Sequence, residues 1–208
     1  MSKKLFLFSL VFYCLLATLS LPLRAAYVYH LEAFTNNGSY YDSADLDLYV
    51  VVSDGQAADV DFTFHNNSLV DSSIARIYFD DSSFLDIAGI TEGLGTSFSQ
   101  PATPGNLPAG KTLEPPFVAV DEFSYKAGPP GPKNGVNPGE WLQVSFNLNN
   151  GATLATVIDY LDAGSLRIGA HVIALPDGSS ESVVTVPEPA TVALLGLGTL
   201  FLLRKRHS

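Results

Sequence analysis

Hydrophobic and polar side chains alternate along most of the middle of this chain. The cleanest case is Val60-Asp61-Phe62-Thr63-Phe64-His65, and Trp141–Leu148 keeps the same rhythm over eight residues. Period two sends one face of an extended strand into a core and the other into water. Tyr27–Phe34, Asp45–Val52, Ile74–Phe79, Ser165–Ile173 and Glu181–Val186 repeat it less regularly. Polar clusters such as Ser53-Asp54-Gly55, Asn66-Asn67-Ser68 and Asp80-Asp81-Ser82-Ser83 separate them. Short strands with polar turns predict a mostly β protein, a single antiparallel β-sandwich.

Two stretches break the rhythm. In Thr153–Leu161 the apolar positions Leu154, Val157, Ile158 and Leu161 follow helical spacing, with Thr153 placed to cap and Gly164 to stop. This predicts one short helix across an end of the sandwich. From Gly93 to Gly139 the chain holds Pro101, Pro104, Pro108, Pro115, Pro116, Pro129, Pro130, Pro132 and Pro138. Long loops around one strand, Phe117–Val120, are expected there, as a binding surface or as disorder.

The chain ends are apolar instead of alternating. Lys3 and Lys4 precede the run Leu5–Leu19, the pattern of a secretory signal peptide over residues 1–26. Its cut site is open between Ser20, Ala25 and Ala26. At the other end, Val186-Pro187-Glu188-Pro189 leads into an uncharged run, Ala190–Leu203, and then Arg204-Lys205-Arg206. The prolines keep their segment extended and unpaired. A helix over the run would be about 21 Å long, a minimal transmembrane helix. The basic cluster after it would stay cytoplasmic. The expected layout is thus 1–26 signal peptide, 27–185 β domain and 186–208 tail.

Triplet, short apolar helix and basic end together resemble the PEP-CTERM sorting signal of Gram-negative bacteria, also described as an ice-binding-protein C-terminal domain. The resemblance implies export through the Sec translocon and an inner-membrane-held precursor with a single C-terminal span. It also implies cutting near Val186, Pro187, Glu188 and Pro189 by an exosortase-type membrane protease. Arg204, Lys205 and Arg206 would serve as the membrane-retention cluster. The mature protein would then reach the cell surface or the exopolysaccharide and biofilm matrix. Looser likenesses to other exported proteins with this tail lie at Ile77–Asp81, Pro138–Glu140 and Leu166–Val172.

Charge narrows the partners. Of 21 Asp and Glu only Glu188 lies outside the β domain, and of 11 Lys and Arg six do, so the domain carries 20 acids against 5 bases, near −15. Such a domain repels nucleic acid and anionic lipid. Cys14 falls in the signal peptide, so the exported body holds no disulfide and relies on its core.

Catalytic motifs are missing from the pattern: there is no Gly-x-Ser-x-Gly elbow, His-Glu-x-x-His helix or phosphate-binding glycine loop. A protein that is not an enzyme is expected, ahead of a secreted hydrolase. The alternative is a carbohydrate-binding module that stacks sugars on surface aromatics, with Tyr40, Tyr41 and Trp141 as candidates beside Tyr27 and Tyr29. No cofactor is called for, but calcium is possible. Asp45 and Asp47, read as sharing a strand face as Asp59 and Asp61 do, and Asp80, Asp81 and Asp86 around a turn are the candidate oxygen donors. His30, His65 and His171, all on predicted strands, would suffice for zinc if they converged.

Overall fold

The computed structural model describes residues 25–41, 43–80 and 83–186. Its strands are β1 (Ala26–Ala33), β2 (Leu48–Asp54), β3 (Val60–Asn66), β4 (Ser73–Phe79), β5 (Leu85–Glu92), β6 (Phe98–Ser99), β7 (Ser124–Ala127), β8 (Trp141–Leu148), β9 (Ile168–Ile173) and β10 (Glu181–Thr185). The helices are α1 (Gly131–Asn134) and α2 (Leu154–Asp162).

The expected β-sandwich is corrected. Among the described residues there is one ten-stranded sheet, in the order β5-β8-β3-β2-β1-β10-β9-β4-β7-β6, curled into a nearly closed barrel. β1 makes the difference. Its first half pairs with β2, Ala26 to His30, and its second half with β10, Leu31 to Ala33. One strand thus carries the ladder from one half of the barrel to the other. Alternation cannot distinguish the two architectures, because a closed sheet and two packed sheets bury one face of each strand alike.

Curling brings distant strands together in the core. Phe79 of β4 makes edge contacts with Phe62 of β3 at 5.2 Å and Phe146 of β8 at 5.1 Å. The two open edges approach as well: the Glu92 carboxylate at the end of β5 accepts a hydrogen bond from the backbone N–H of Phe98 in β6. The predicted alternation holds where it was cleanest, with Val60, Phe62 and Phe64 of β3 and Leu142, Val144 and Phe146 of β8 all buried.

α2 forms where its period places it. Thr153 caps it in a reciprocal box with Thr156, and Gly164 leaves it at φ +68°. Val157, Ile158 and Leu161 join the barrel core, and Tyr29 donates to Asp162 at 2.7 Å. The helix links β8 to β9, which lie on opposite sides of the barrel.

The proline-rich region departs from expectation. Phe117–Val120 is not a strand; the strands of this region are β6 and β7. The segment 100–120 instead lies against the outer face of β10, β9 and β4. Tyr78 and Val184 on that face bury with Ala102, Leu107 and Phe117 in a second apolar cluster. Gly169 permits the close approach: a Cβ there would meet Leu107 Cδ2 at 2.6 Å and the Phe117 ring at 3.2 Å. Arg167 pairs with Asp80, donates to the carbonyls of Pro115 at 2.7 Å and Pro116 at 2.9 Å, and sits over the Phe117 ring. Arg76 donates to the Thr103 carbonyl at 2.9 Å, and the Tyr78 hydroxyl donates to that of Pro104 at 3.0 Å.

Among the described residues no helix is long and apolar enough to cross a membrane; α2, at 9 residues, is the longest. The transmembrane helix expected over Ala190–Leu203 lies outside the described residues, as does most of the signal peptide. The expected inner-membrane-held precursor is corrected accordingly: among the described residues no helix supports an anchored form. At the other end β1 already begins at Ala26, within the segment assigned to the signal peptide.

Candidate functional site

The outer face of β1, β2, β3 and β8 contrasts with the covered one. Cross-strand register lines up His30, Tyr49, His65 and Trp141 in one row, one residue per strand. His30 and Tyr49 lie 6.0 Å apart with tilted rings; Tyr49 and His65 stack at 5.0 Å and 17°. The faces of Tyr49 and His65 are therefore turned toward each other. Burial lowers the His65 pKa, so its ring is neutral at pH 7. The next row on this face is Val28, Val51, Thr63 and Gln143.

Beside this row, where β1 leaves β2 for β10, a cleft of about 370 Å³ opens between Glu32 of β1 and the loop carrying Tyr40, Tyr41, Ser43 and Leu46. Glu32 follows His30 by two residues and so shares its face. Cleft and row also meet through Asp47, next to Leu46, whose carboxylate lies 3.6 Å from His30 Nδ1.

Hydrogen bonds hold the described residues on both sides of the loop. Buried Glu181 accepts from the Thr35 hydroxyl and from the backbone N–H groups of Asn37 at 2.8 Å and Gly38 at 3.0 Å. Asp177 accepts from Ser39 N–H at 2.8 Å; hydrogen bonds from Ser179 and Ser39 hold its carboxyl down at about 2. Turn bonds from Ser43 to Tyr40 and from Leu46 to Ser43 fix the other side. Tyr40 packs partly on the core, while Tyr41 is 45% exposed.

The sequence candidates fall apart into separate places. Tyr40 and Tyr41 meet in the cleft; Trp141 ends the row on β8, with the Gly93 backbone against its indole. His30 and His65 share the row, with Tyr49 between them. His171 lies on the covered face, where its Nδ1 faces Arg76 Nη1 at 3.0 Å. Burial and that guanidinium hold it down at about 4. The three histidines therefore do not converge into a zinc site.

The calcium candidates do not converge either. Asp45 and Asp47 precede β2 instead of sharing a strand face. Asp80 is engaged by Arg167, and Asp81 lies outside the described residues. Asp61 is buried and accepts from Ser145 at 2.6 Å, while Asp59 accepts from Leu148 N–H at 2.7 Å. Among the described residues no group of three or more His, Cys, Asp or Glu is placed to hold a metal. Sequence reasoning missed Tyr49 and Glu32, which join the other residues only through strand register.

Val186 follows β10 directly and is 39% exposed; Pro187, Glu188, Pro189, Arg204, Lys205 and Arg206 lie outside the described residues. Fold and site define an acidic antiparallel barrel whose outer face at β10, β9 and β4 is covered by the segment 100–120, while among the described residues none covers the outer face of β1, β2, β3 and β8. Residues 185–206 match the PEP-CTERM protein-sorting motif, so the chain carries that sorting motif at its C-terminus. No curated protein and no solved structure matches the chain.

Proposed function

We propose that this chain is an exported, non-enzymatic protein, sorted and processed through its C-terminal motif by an exosortase-type protease and delivered to the extracellular exopolysaccharide matrix. The observation that carries this reading is the junction. The sorting motif starts at Thr185, the last residue of β10, so the barrel and its address overlap by one residue. Removing the address after Val186 leaves every strand of the barrel in place.

The non-enzymatic part is supported by what the polar side chains do. Glu181 anchors a loop, Asp80 holds Arg167, and His171 faces Arg76. Each serves the fold.

Replacing Pro187, Glu188 and Pro189 together by Ala, in a host with an exosortase-type protease, tests the sorting step. Intact mass of the exported protein is the readout. The variant is expected to keep its C-terminal segment and to be missing from the matrix fraction. A variant shed into that fraction at the wild-type mass would overturn the reading.

A further inference from the structure

We infer that the bare face binds an amine-bearing polysaccharide, with the Tyr40–Tyr41 cleft holding one sugar and the His30–Tyr49–His65–Trp141 row continuing the track. The choice of a matrix polymer as occupant rests on the function proposed above; the chemistry comes from the face itself.

Shape and chemistry agree on a sugar. The cleft combines an exposed ring, Tyr41, with a carboxylate, Glu32, and a hydroxyl, Ser43. A pyranose offers an apolar C–H face to a ring and hydroxyls to polar neighbours. Between Tyr49 and His65 two ring faces are already spent on one another, so an apolar protein partner would find fewer ring faces to cover. A row carrying a phenol hydroxyl, imidazole nitrogens and an indole N–H suits a ligand rich in hydroxyls. Strands lie about 4.8 Å apart, so the four residues of the row span roughly 14 Å, long enough for several consecutive sugars and too long for one.

Charge selects among sugars. The body carries five Lys and Arg: Arg76, Lys111, Lys126, Lys133 and Arg167. None lies on β1, β2, β3 or β8. Arg76 and Arg167 are held against the proline-rich segment on the covered face. The bare face instead presents Glu32 in the cleft and Asp47 beside the row. Polymers of uronic acid or sulfated sugars meet only like charge there, whereas an ammonium group meets carboxylates. A hexosamine polymer supplies both the pyranose face and the cation.

Calorimetric titration of the full-length chain at about 0.15 M ionic strength tests this with three probes: glucosamine pentamer, N-acetylglucosamine pentamer and polygalacturonate. The expected order is strongest binding for the first, weaker for the second and none for the third. Tyr41→Ala and Glu32→Gln are each expected to weaken the glucosamine pentamer at least tenfold, and Tyr49→Ala severalfold. Val118→Ser, an exposed position on the covering segment, should change nothing.

Binding that survives all three bare-face substitutions, equal binding of polygalacturonate, stronger binding of the N-acetylated pentamer, or no binding at all would each overturn the inference. Far-ultraviolet circular dichroism of each variant guards against loss of fold; Tyr41 and Glu32 are both exposed. Because the titration uses purified protein, failure of sorting leaves its outcome intact, and failure of binding leaves the processing test intact.

Discussion

The two halves of the barrel surface are built from the same kind of strand and finished differently. On β10, β9 and β4 the outward rows are Val184, Gly169 and Tyr78, then Ser182, His171 and Arg76. Both lie under or beside the segment 100–120, and the first is buried. On β1, β2, β3 and β8 the outward rows are half exposed, and no described residue plays the part that Phe117 plays opposite. Covering one half costs the chain a long segment full of prolines, which lose little conformational entropy on ordering. The lesson is that this composition here marks a lining of the barrel's own outer face.

The sharpest way to break this contrast is Arg167→Ala. It removes the clamp on Pro115 and Pro116 and takes the guanidinium away from the Asp80 carboxylate, whose side chain is only 5% exposed and which keeps the bond from the residue 167 backbone N–H at 2.7 Å. A loss of about 3–5 kcal/mol is expected, read as a lower denaturation midpoint together with new proteolytic cuts within 100–120. Gly169→Ala should follow at about 1–3 kcal/mol, because the added methyl overpacks against Leu107 and Phe117.

A pH titration of stability comes next. His171 is held near 4 in the folded state against 6.5 when free. Between these values the unfolded chain binds a proton that the folded chain refuses. Stability should therefore fall as pH drops from about 6.5 toward 4, and the fall should be shallower in His171→Gln. The smallest effect belongs to the bare half: Val28→Thr, at an exposed position, should stay within about 0.5 kcal/mol. A large loss there would mean that the bare face is packed against something after all.

Much of the strand set was legible because the pattern is local. Val60–His65 and Trp141–Leu148 announce their buried faces without help from the rest of the chain, and Thr153 and Gly164 bracket α2 as their chemistry demands. What escaped depends on pairing. That β1 changes partner between His30 and Leu31, turning two sheets into one barrel, follows from register, which no single strand records. The same holds for the site. His30, Tyr49, His65 and Trp141 are ordinary strand residues until the ladders align them.

The proline-rich segment shows a third kind of gap. Its anchors, Arg76, Tyr78, Asp80, Arg167 and Gly169, all sit far along the chain from the residues they hold. One signal was available: Gly169 inside a β-rich run marks a place where another part of the chain comes close. The side chain of Asn106, which accepts from Leu107 and Ala119 and donates to the Phe117 carbonyl, then ties the lining to itself.

Amide hydrogen exchange with and without glucosamine pentamer tests the division of the surface most directly. Slowed exchange confined to the peptides around His30–Ala33, Tyr40–Val50, Thr63–Asn66 and Glu140–Leu142, with 100–120 unchanged, is the predicted result. Protection appearing in 100–120 while the β1–β2 peptides stay as they were would contradict it.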